Sequence, residues 1–512
     1  VTVIALPDSP VPTDLAQLIR CLSAVRETVS TDLSTALLKP RDQETLTCIT
    51  RILSRLIVEF GELPGLASEV EPEWHGLYAR LATLTNTPIA TTASCSDPYS
   101  LLKQITHELG TLLVSTKDAD FRCGLSTCGN PVSQWFDQAV DAAIVLVGAT
   151  ENAIPTKLPR SASTSLTLAP AEVRARLNAY LTSRFPSMPK QVILALEWIP
   201  GGRSKFTALL DIAEGVGFAR RLVLRMDAPG ANLTGKSAAL EYPLLTLLHQ
   251  NRVAVARPVL AEVDPTVIGG SFLISEEVAD ARKGGEPFAE LIDFTALSPD
   301  FAKELAVNLG RQHRIVDWLG RETGSSGQPS TVAQIEAFTK TWAEIPIKPP
   351  MHVATDLGLA WLLSHPLPAI RPQALVHGDL GMHNILIRDG HLAAILDWEL
   401  ARLGDPAEDI GNCRAALLNN LIECDSFVDV YTSAGGDPAA CDLDVVLFQS
   451  IWAHTRGSIY TAQMWNLAMS GQRSELDYLS IGWDFFARTQ NYILRELHVA
   501  RNRPPLRDQQ KG

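Results

Sequence analysis

The run "ILIRDGHLAAIL" (385–396) constrains the fold of this chain more tightly than any other stretch. Two apolar segments flank Asp389-Gly390, a dipeptide suited to the left-handed backbone of a two-residue hairpin turn. Such a turn sets Arg388 against His391 and Asn384 against Ile395, and Asp397 follows two residues later. The hairpin therefore returns Asp397 to the neighbourhood of Asn384. Just upstream, "LVHGDLGMHN" (375–384) adds His377, Asp379 and His383. An amide and a carboxylate at one edge are hard oxygen donors of the kind that suit Mg²⁺, which keeps several waters and completes its shell with substrate phosphates. A zinc site built on His377, Asp379 and His383 is disfavoured, because no Cys or H-E-x-x-H spacing completes it.

The rest of the chain sets the frame for this edge. Its 512 residues suffice for about two to four domains. A net charge of −13 argues against nucleic acid as a partner, since phosphate backbones call for basic grooves. The eight cysteines are scattered and none forms C-x-x-C, as expected of thiols in a reducing compartment. No apolar run approaches the ~18 residues of a membrane span. The start "VTVIALPDSPVPTD" lacks the pattern of a signal peptide, so the expected location is cytoplasmic.

Apolar spacing divides the chain. Leu46, Ile49, Ile52, Leu53, Leu56, Ile57 and Phe60 recur at helical steps, and 98–116 and 132–149 are two further helical segments. Residues 1–150 therefore read as a helical accessory domain without a chemical motif. The Pro-, Ser- and Thr-rich stretch 151–170 reads as a linker. A helix over 169–186 is followed by strand-like "QVILALEW", "TALLDIA" and "RRLVLRMD", a helix near 236–251, and strand-like "VARPVLAEVD" and "SFLISEEV". Helices dominate from about 300. Strands first and helices after predict an α+β body of two lobes, 171–280 and 281–512.

"HGDLGMHN" followed by "ILDWE" resembles the Brenner motif of the aminoglycoside phosphotransferase/choline kinase-like family. "RRLVLRMD" resembles the branch that includes the kinase domain of human acyl-CoA dehydrogenase family members ten and eleven. The resemblance covers roughly residues 170–500. It implies a bilobal protein-kinase-like fold, with a small β-rich N-lobe and a helical C-lobe, preceded here by the all-α domain. It implies Asp379 as the catalytic residue that orients the acceptor hydroxyl or takes its proton, and Asn384 and Asp397 as Mg²⁺ ligands. His377, Glu399, Asp405 and Asp409 are implied as supporting residues, and His383 and the lone helix residue His313 carry no assigned role. Nucleotide contacts are implied for Gly201, Gly202, Ser204 and Lys205 in a phosphate loop. They are also implied for Arg225 on the next strand, for Glu241 as its partner, and for Glu276 and Val278 beside the base. The nucleotide is expected to be ATP, with GTP left open.

The aromatic helix "FQSIWAHTRGSIYTAQMWNLAM" offers Trp452, Arg456, Tyr460 and Trp465 as acceptor contacts, against a reading of the aromatics as ordinary core. This segment is less acidic than a polycationic antibiotic would want. The expected partner is thus a small hydroxylated acceptor, and the branch resemblance points to hydroxyacyl groups, including hydroxyacyl-CoA thioesters. An antibiotic kinase and a nucleotide-binding scaffold without catalysis are the rival readings. Regulation, an acceptor-site lid and homodimerisation are open roles for residues 1–150.

Overall fold

The structure is a computed structural model. It describes residues 49, 52–53, 63–87, 98–116, 119–127, 129–151, 169–199, 205–215, 217–227, 237–285, 296–315, 331–349, 351–365, 367, 371–414, 424–472, 478, 482 and 485–502. Most of the helical stripe expected over 46–60, most of the expected linker 151–170, and Gly201, Gly202 and Ser204 lie outside these residues.

Among the described residues, the helices α1 (Leu63–Leu84), α2 (Pro98–Ser115), α3 (Ala119–Ser126) and α4 (Pro131–Glu151) precede the sheet. Helix α5 (Pro170–Arg184) precedes β1 (Ile193–Ile199), β2 (Lys205–Ile212) and β3 (Arg221–Asp227). Then come α6 (Tyr242–Gln250), β4 (Pro258–Glu262), β5 (Phe272–Glu276) and β6 (Arg282–Lys283). Helices α7 (Phe301–His313), α8 (Thr331–Glu344) and α9 (Val353–Ser364) lead to β7 (Ala374–Val376), β8 (Ile385–Arg388), β9 (His391–Ile395) and β10 (Arg402–Gly404). Helices α10 (Ala407–Cys413), α11 (Cys424–Ser433), α12 (Leu443–Met469) and α13 (Phe486–Arg501) follow.

The chain forms two compact units. One comprises Val1–Arg160, Ile335–His365 and His454–Gly512; the other comprises Ser161–Gln334 and Pro366–Ala453. In the first unit α1 packs on α2 and α4, α9 on α2, and α13 on α4. Trp74, Leu81, Leu102, Ile105 and Trp135 are buried there, and the Trp135 indole donates to the Leu77 carbonyl at 2.8 Å. Helix α1 has no counterpart in the sequence reading. It carries Pro72, a residue that ordinarily stops a helix, well inside its span. Among the described residues no helix is long and apolar enough to cross a membrane.

The second unit is mixed α and β. Its antiparallel sheet runs in the order β1-β2-β3-β5-β4. Side chains alternate across a strand, so Phe206, Ala208, Leu210 and Ile212 of β2 share one face with Leu222, Leu224 and Met226 of β3. That face packs with Val173, Leu177 and Leu181 of α5. The Asn178 side chain ties α5 to the sheet by accepting from the Val192 and Ile193 amides, both at 2.8 Å. The opposite parity carries Lys205, Thr207 and Arg225. Lys205 pairs with Asp227 and Thr207 with Arg225, which brings the two cations to one face of adjacent strands.

A second core joins Leu244, Leu245 and Leu248 of α6 to Phe301, Leu305 and Leu309 of α7, to the β8–β9 hairpin, and to Trp398, Ile410 and Tyr431. Helices α7 and α11 approach closely at Gly310. A Cβ there would run into the Tyr431 carbonyl oxygen and lie 2.7 Å from the Ala434 Cβ. Backbone cannot swing aside as a side-chain tip can. Gly310→Ala is therefore expected to destabilise the protein by about 1–3 kcal/mol through overpacking. Urea unfolding of the two proteins measures this, and an unchanged midpoint would show that the crossing is looser than described.

Candidate active site

The hairpin forms where the sequence places it, with Arg388 opposite His391, but its register differs from the expected one. Ile385, not Asn384, lies opposite Ile395. The pairing slips between Leu386 and Ile387, leaving Ala393 as an extra residue on β9, a β-bulge that strand arithmetic cannot foresee. In consequence the Leu396 amide donates to the Asn384 carbonyl at 2.7 Å, and Asp397 is one residue nearer to Asn384 than predicted.

Upstream of β8 the loop 377–384 is held from below by Asp409 of α10. Its Oδ2 accepts from the His377 amide (2.8 Å), Gln312 Nε2 (2.8 Å) and His313 Nε2 (3.2 Å), and its Oδ1 accepts from the Gly378 amide (2.9 Å). The Tyr431 hydroxyl completes the chain, lying 2.8 Å from His313 Nδ1. Burial alone would raise the Asp409 carboxyl. The bonds from His313 and His377 outweigh it and hold the group down at about 2.

Gly378 has φ +84°. A Cβ there would strike the Arg402 guanidinium and sit 2.9 Å from the Leu400 carbonyl oxygen, so this turn needs glycine for both conformation and space. His377 is fully buried. Its Nδ1 accepts from the Asp379 amide (3.2 Å), which leaves Nε2 to donate to the Leu396 carbonyl (2.8 Å). Its ring also packs edge-on against Trp398. This imidazole is a brace between the loop and the segment carrying Asp397.

Asp379 lies exposed on the braced loop. Asn384 is buried, and its amide nitrogen donates to the Asp379 carbonyl at 2.9 Å and lies 3.3 Å from Asp379 Oδ2. With the nitrogen so engaged, the amide oxygen is the donor left for a cation. His383 Nε2 stands 3.4 Å from Asp379 Oδ2, a neighbour the sequence reading gave no role. Asp397 adopts φ +63°, ψ +63°, a left-handed conformation rare outside glycine and a form of stored strain.

Four charged side chains meet beside Asp397. Lys205 Nζ donates to Glu241 Oε1 at 2.6 Å and to Glu399 Oε2 at 2.8 Å. Arg225 donates to Glu241 Oε2 at 2.9 Å and to Asp397 Oδ1 at 2.8 Å. Lys205 and Glu241 are each only 4% exposed, so their pairing is screened little by solvent. Burial would raise the Asp397 carboxyl, but the Arg225 and Lys205 cations prevail and hold it below the ordinary carboxylate range. Burial pulls the Lys205 ammonium down, and Glu241 and Glu399 more than restore it. Oxygens of Glu241, Asp397 and Glu399 lie within 4.8 Å of one another, and the Lys205 and Arg225 cations are bonded among them.

Sequence expectation and structure meet at several of these residues and part at others. The Arg225–Glu241 pair is present. Lys205, expected to reach phosphate, is spent on two carboxylates, because its strand parity turns it inward. Glu399, expected to assist a metal, holds Lys205. Asp405 accepts from Arg371 Nε (2.8 Å) and from the Ala407 amide (3.0 Å), so it holds the turn that leads into α10. Glu276 is tied to Arg257 by its side chain, and its amide donates to the Arg257 carbonyl at 2.8 Å; Val278, two residues on, is half-buried. Along α12, Trp452 and Trp465 are buried among core residues, Arg456 is intermediate, and Tyr460 is exposed with its ring edge-on to Phe338. The two tryptophans are 1% and 7% exposed. Gln312, His313 and Tyr431 enter the support of the loop without a signal that sequence spacing could supply.

The model of the phosphotransferase enzyme family matches residues 199–442. Mouse acyl-CoA dehydrogenase family member 11 is 26% identical over 250 residues, 46% of this chain and 30% of that protein. Mouse acyl-CoA dehydrogenase family member 10 is 27% identical over 230 residues, 42% of this chain and 20% of that protein. The match thus spans less than a third of either relative. Among solved structures, a candidate aminoglycoside phosphotransferase from Ralstonia eutropha is 22% identical with TM-score 0.47, covering 63% of this chain and 98% of its own.

The depressed Asp409 carboxyl has a consequence for stability. Unfolded, the group titrates near its ordinary 3.8; folded, near 2. Its contribution is therefore fully present above about pH 4 and lost as pH falls toward 2, and is worth about 2 kcal/mol at neutral pH. Asp409→Asn should be less stable at pH 7 and should lack this component of the acid dependence. Urea unfolding of both proteins between pH 6 and pH 2.5 measures it. Parallel pH profiles would move the effect to another carboxylate.

Proposed function

We propose that this chain, whose residues 199–442 match the model of the phosphotransferase enzyme family, transfers a phosphoryl group from a nucleoside triphosphate, ATP first, to a hydroxyl of a small molecule. The observation that carries this reading is the exposed Asp379 on a loop pinned by Asp409 and His377, with Asn384 and Asp397 at the same edge. Asp379 would orient the acceptor hydroxyl and receive its proton. Arg225, whose guanidinium already bridges two carboxylates, has further donors in its fork for phosphate oxygens. Asn384 and Asp397 would hold Mg²⁺, which when bound supplies neutralisation of phosphate charge. The protein's own contribution is chiefly alignment and fixed charge.

For the acceptor, a hydroxyacyl or hydroxyacyl-CoA group is the preferred class. The similarity to two acyl-CoA dehydrogenase family members supports it. Asp379→Asn should lower turnover by about two or more orders of magnitude while nucleotide affinity changes little. Measuring ADP release with hydroxyacyl-CoAs, aminoglycosides and macrolides, beside Mg·ATP binding, tests the reading. Normal turnover by the variant would remove Asp379 from the mechanism. A response only to the antibiotics would replace the acceptor class, and nucleotide binding without turnover on any acceptor would favour a scaffold.

A further inference from the structure

A second group of chemically competent side chains lies in the first unit, apart from every residue used above. His107 sits on α2, exposed to solvent. Its Nδ1 is 3.1 Å from Nε2 of His352, the residue that caps α9. His352 is 6% exposed, and its Nδ1 is 2.8 Å from Oδ2 of Asp356, which is 2% exposed. The Trp342 indole donates to the other Asp356 oxygen at 2.7 Å. Gly110 lies one turn beyond His107, and a Cβ there would strike the Asp356 carboxylate, so glycine is what lets α2 come this close. Lys348 stands with its ammonium 4.8 Å from the Trp342 ring centroid.

The order of these contacts fixes the tautomers when both rings are neutral. A carboxylate only accepts, so the His352 proton on Nδ1 points to Asp356. His352 Nε2 is then bare and accepts the His107 Nδ1 proton. That leaves the His107 Nε2 lone pair facing outward, with a proton acceptor behind the ring and a carboxylate behind that. This is the arrangement of a nucleophile or base oriented by a third group. Partial burial of the ring and then the Lys348 charge draw the His107 imidazole below its ordinary value, so with His352 neutral the ring is in its reactive form at neutral pH.

We propose that His107 is a second reactive site of this chain, a nucleophilic imidazole that accepts a phosphoryl group on Nε2, with His352 and Asp356 as its positioning residues. Lys348 supplies the positive charge that draws an anionic phosphoryl donor. In the transfer the Nε2 lone pair forms the N–P bond while the donor's bond to phosphorus breaks and its electron pair leaves with the departing group. The positive charge gained by the ring is relieved as the Nδ1 proton passes to His352 Nε2. The imidazolium so formed at His352 stays paired with Asp356.

Phosphoramidate, from which ammonia departs, is the probe. The full chain is treated with it in the absence of nucleotide, and acid-labile phosphate is read by intact mass and peptide mapping. One phosphoryl group per chain is expected, on His107, at a rate about tenfold or more above that of free imidazole. His107→Gln should abolish it. His352→Gln should slow it by about tenfold with helicity retained, because a bare ring would lose its proton acceptor. Nitrogen NMR of the histidine rings should show the His107 proton on Nδ1. Labelling that persists in His107→Gln, a rate no faster than free imidazole, an unaltered rate in His352→Gln, or a proton on Nε2 would each overturn the proposal and leave a hydrogen-bonded tie between helices. The kinase reading stands apart from this test, which uses no nucleotide.

Discussion

Glu241 is the group on which the charged part of the candidate active site depends. One carboxylate, 4% exposed, accepts both Lys205 and Arg225. Burying a carboxylate unpaired would cost several kcal/mol, and losing one partner of a buried pair commonly costs about 3–5 kcal/mol. The site therefore cannot be altered one charge at a time. Two cations face three carboxylates, Glu241, Glu399 and Asp397, which leaves one net negative charge. Strand parity makes this possible. Lys205 and Arg225 lie on the face of β2 and β3 opposite the apolar side chains that meet α5. Glu241 arrives just before α6, where Ser237 and Asp227 secure the preceding turn by accepting from the Ala239 and Ala238 amides.

The uncharged part depends in the same way on Asp409. Its four accepted bonds fix two consecutive backbone amides, those of His377 and Gly378, and so fix the direction in which Asp379 leaves the loop. A neutral acceptor could satisfy fewer of these donors and less strongly. His377 then carries the constraint across to Leu396, beside the left-handed Asp397. Strain at Asp397 is tolerable because both its neighbours are held: Leu396 by His377 and Asn384, and Trp398 by burial and by its indole bond to the Ile395 carbonyl. Geometry at the proposed metal ligand Asp397 is thus imposed largely by groups outside the proposed ligand set, Asp409, His377 and Trp398.

Much of this was legible in the sequence, and the reasons for the remainder are physical. Asp389-Gly390 announces the hairpin because few residues other than Gly, Asn and Asp accept the required backbone, and both residues do have positive φ. Strands β1 to β5 are long enough, or apolar enough, to register as period-two runs. Strands β7 and β10 are three residues each and leave no such trace. The Ala393 bulge is invisible for a related reason: one extra residue changes pairing without changing composition. The place of Lys205 after two glycines suggests a phosphate donor. Its parity on β2, Lys205 with Thr207 and Leu209 against Phe206 and Ala208, was already sufficient to turn it toward Arg225. Long-range partners such as Gln312 and Tyr431 have no such local sign.

The arrangement also constrains how a phosphorylated ligand could be received. Arg225 and Lys205 are both occupied by carboxylates, so a phosphate entering near them must compete with Glu241, Glu399 and Asp397 for the same donors. Lys205, enclosed and held from two sides, has the most to lose by moving. Arg225 has the least, since its fork can keep Glu241 through Nη1 while Nη2 exchanges Asp397 for another oxygen. That exchange would free the Asp397 carboxylate at the moment a cation with its phosphates needs it. On the proposed reading the two events, phosphate meeting Arg225 and Asp397 becoming available as a ligand, would be linked through one guanidinium. A lysine in place of Arg225 would have a single ammonium for both partners and no such division of labour.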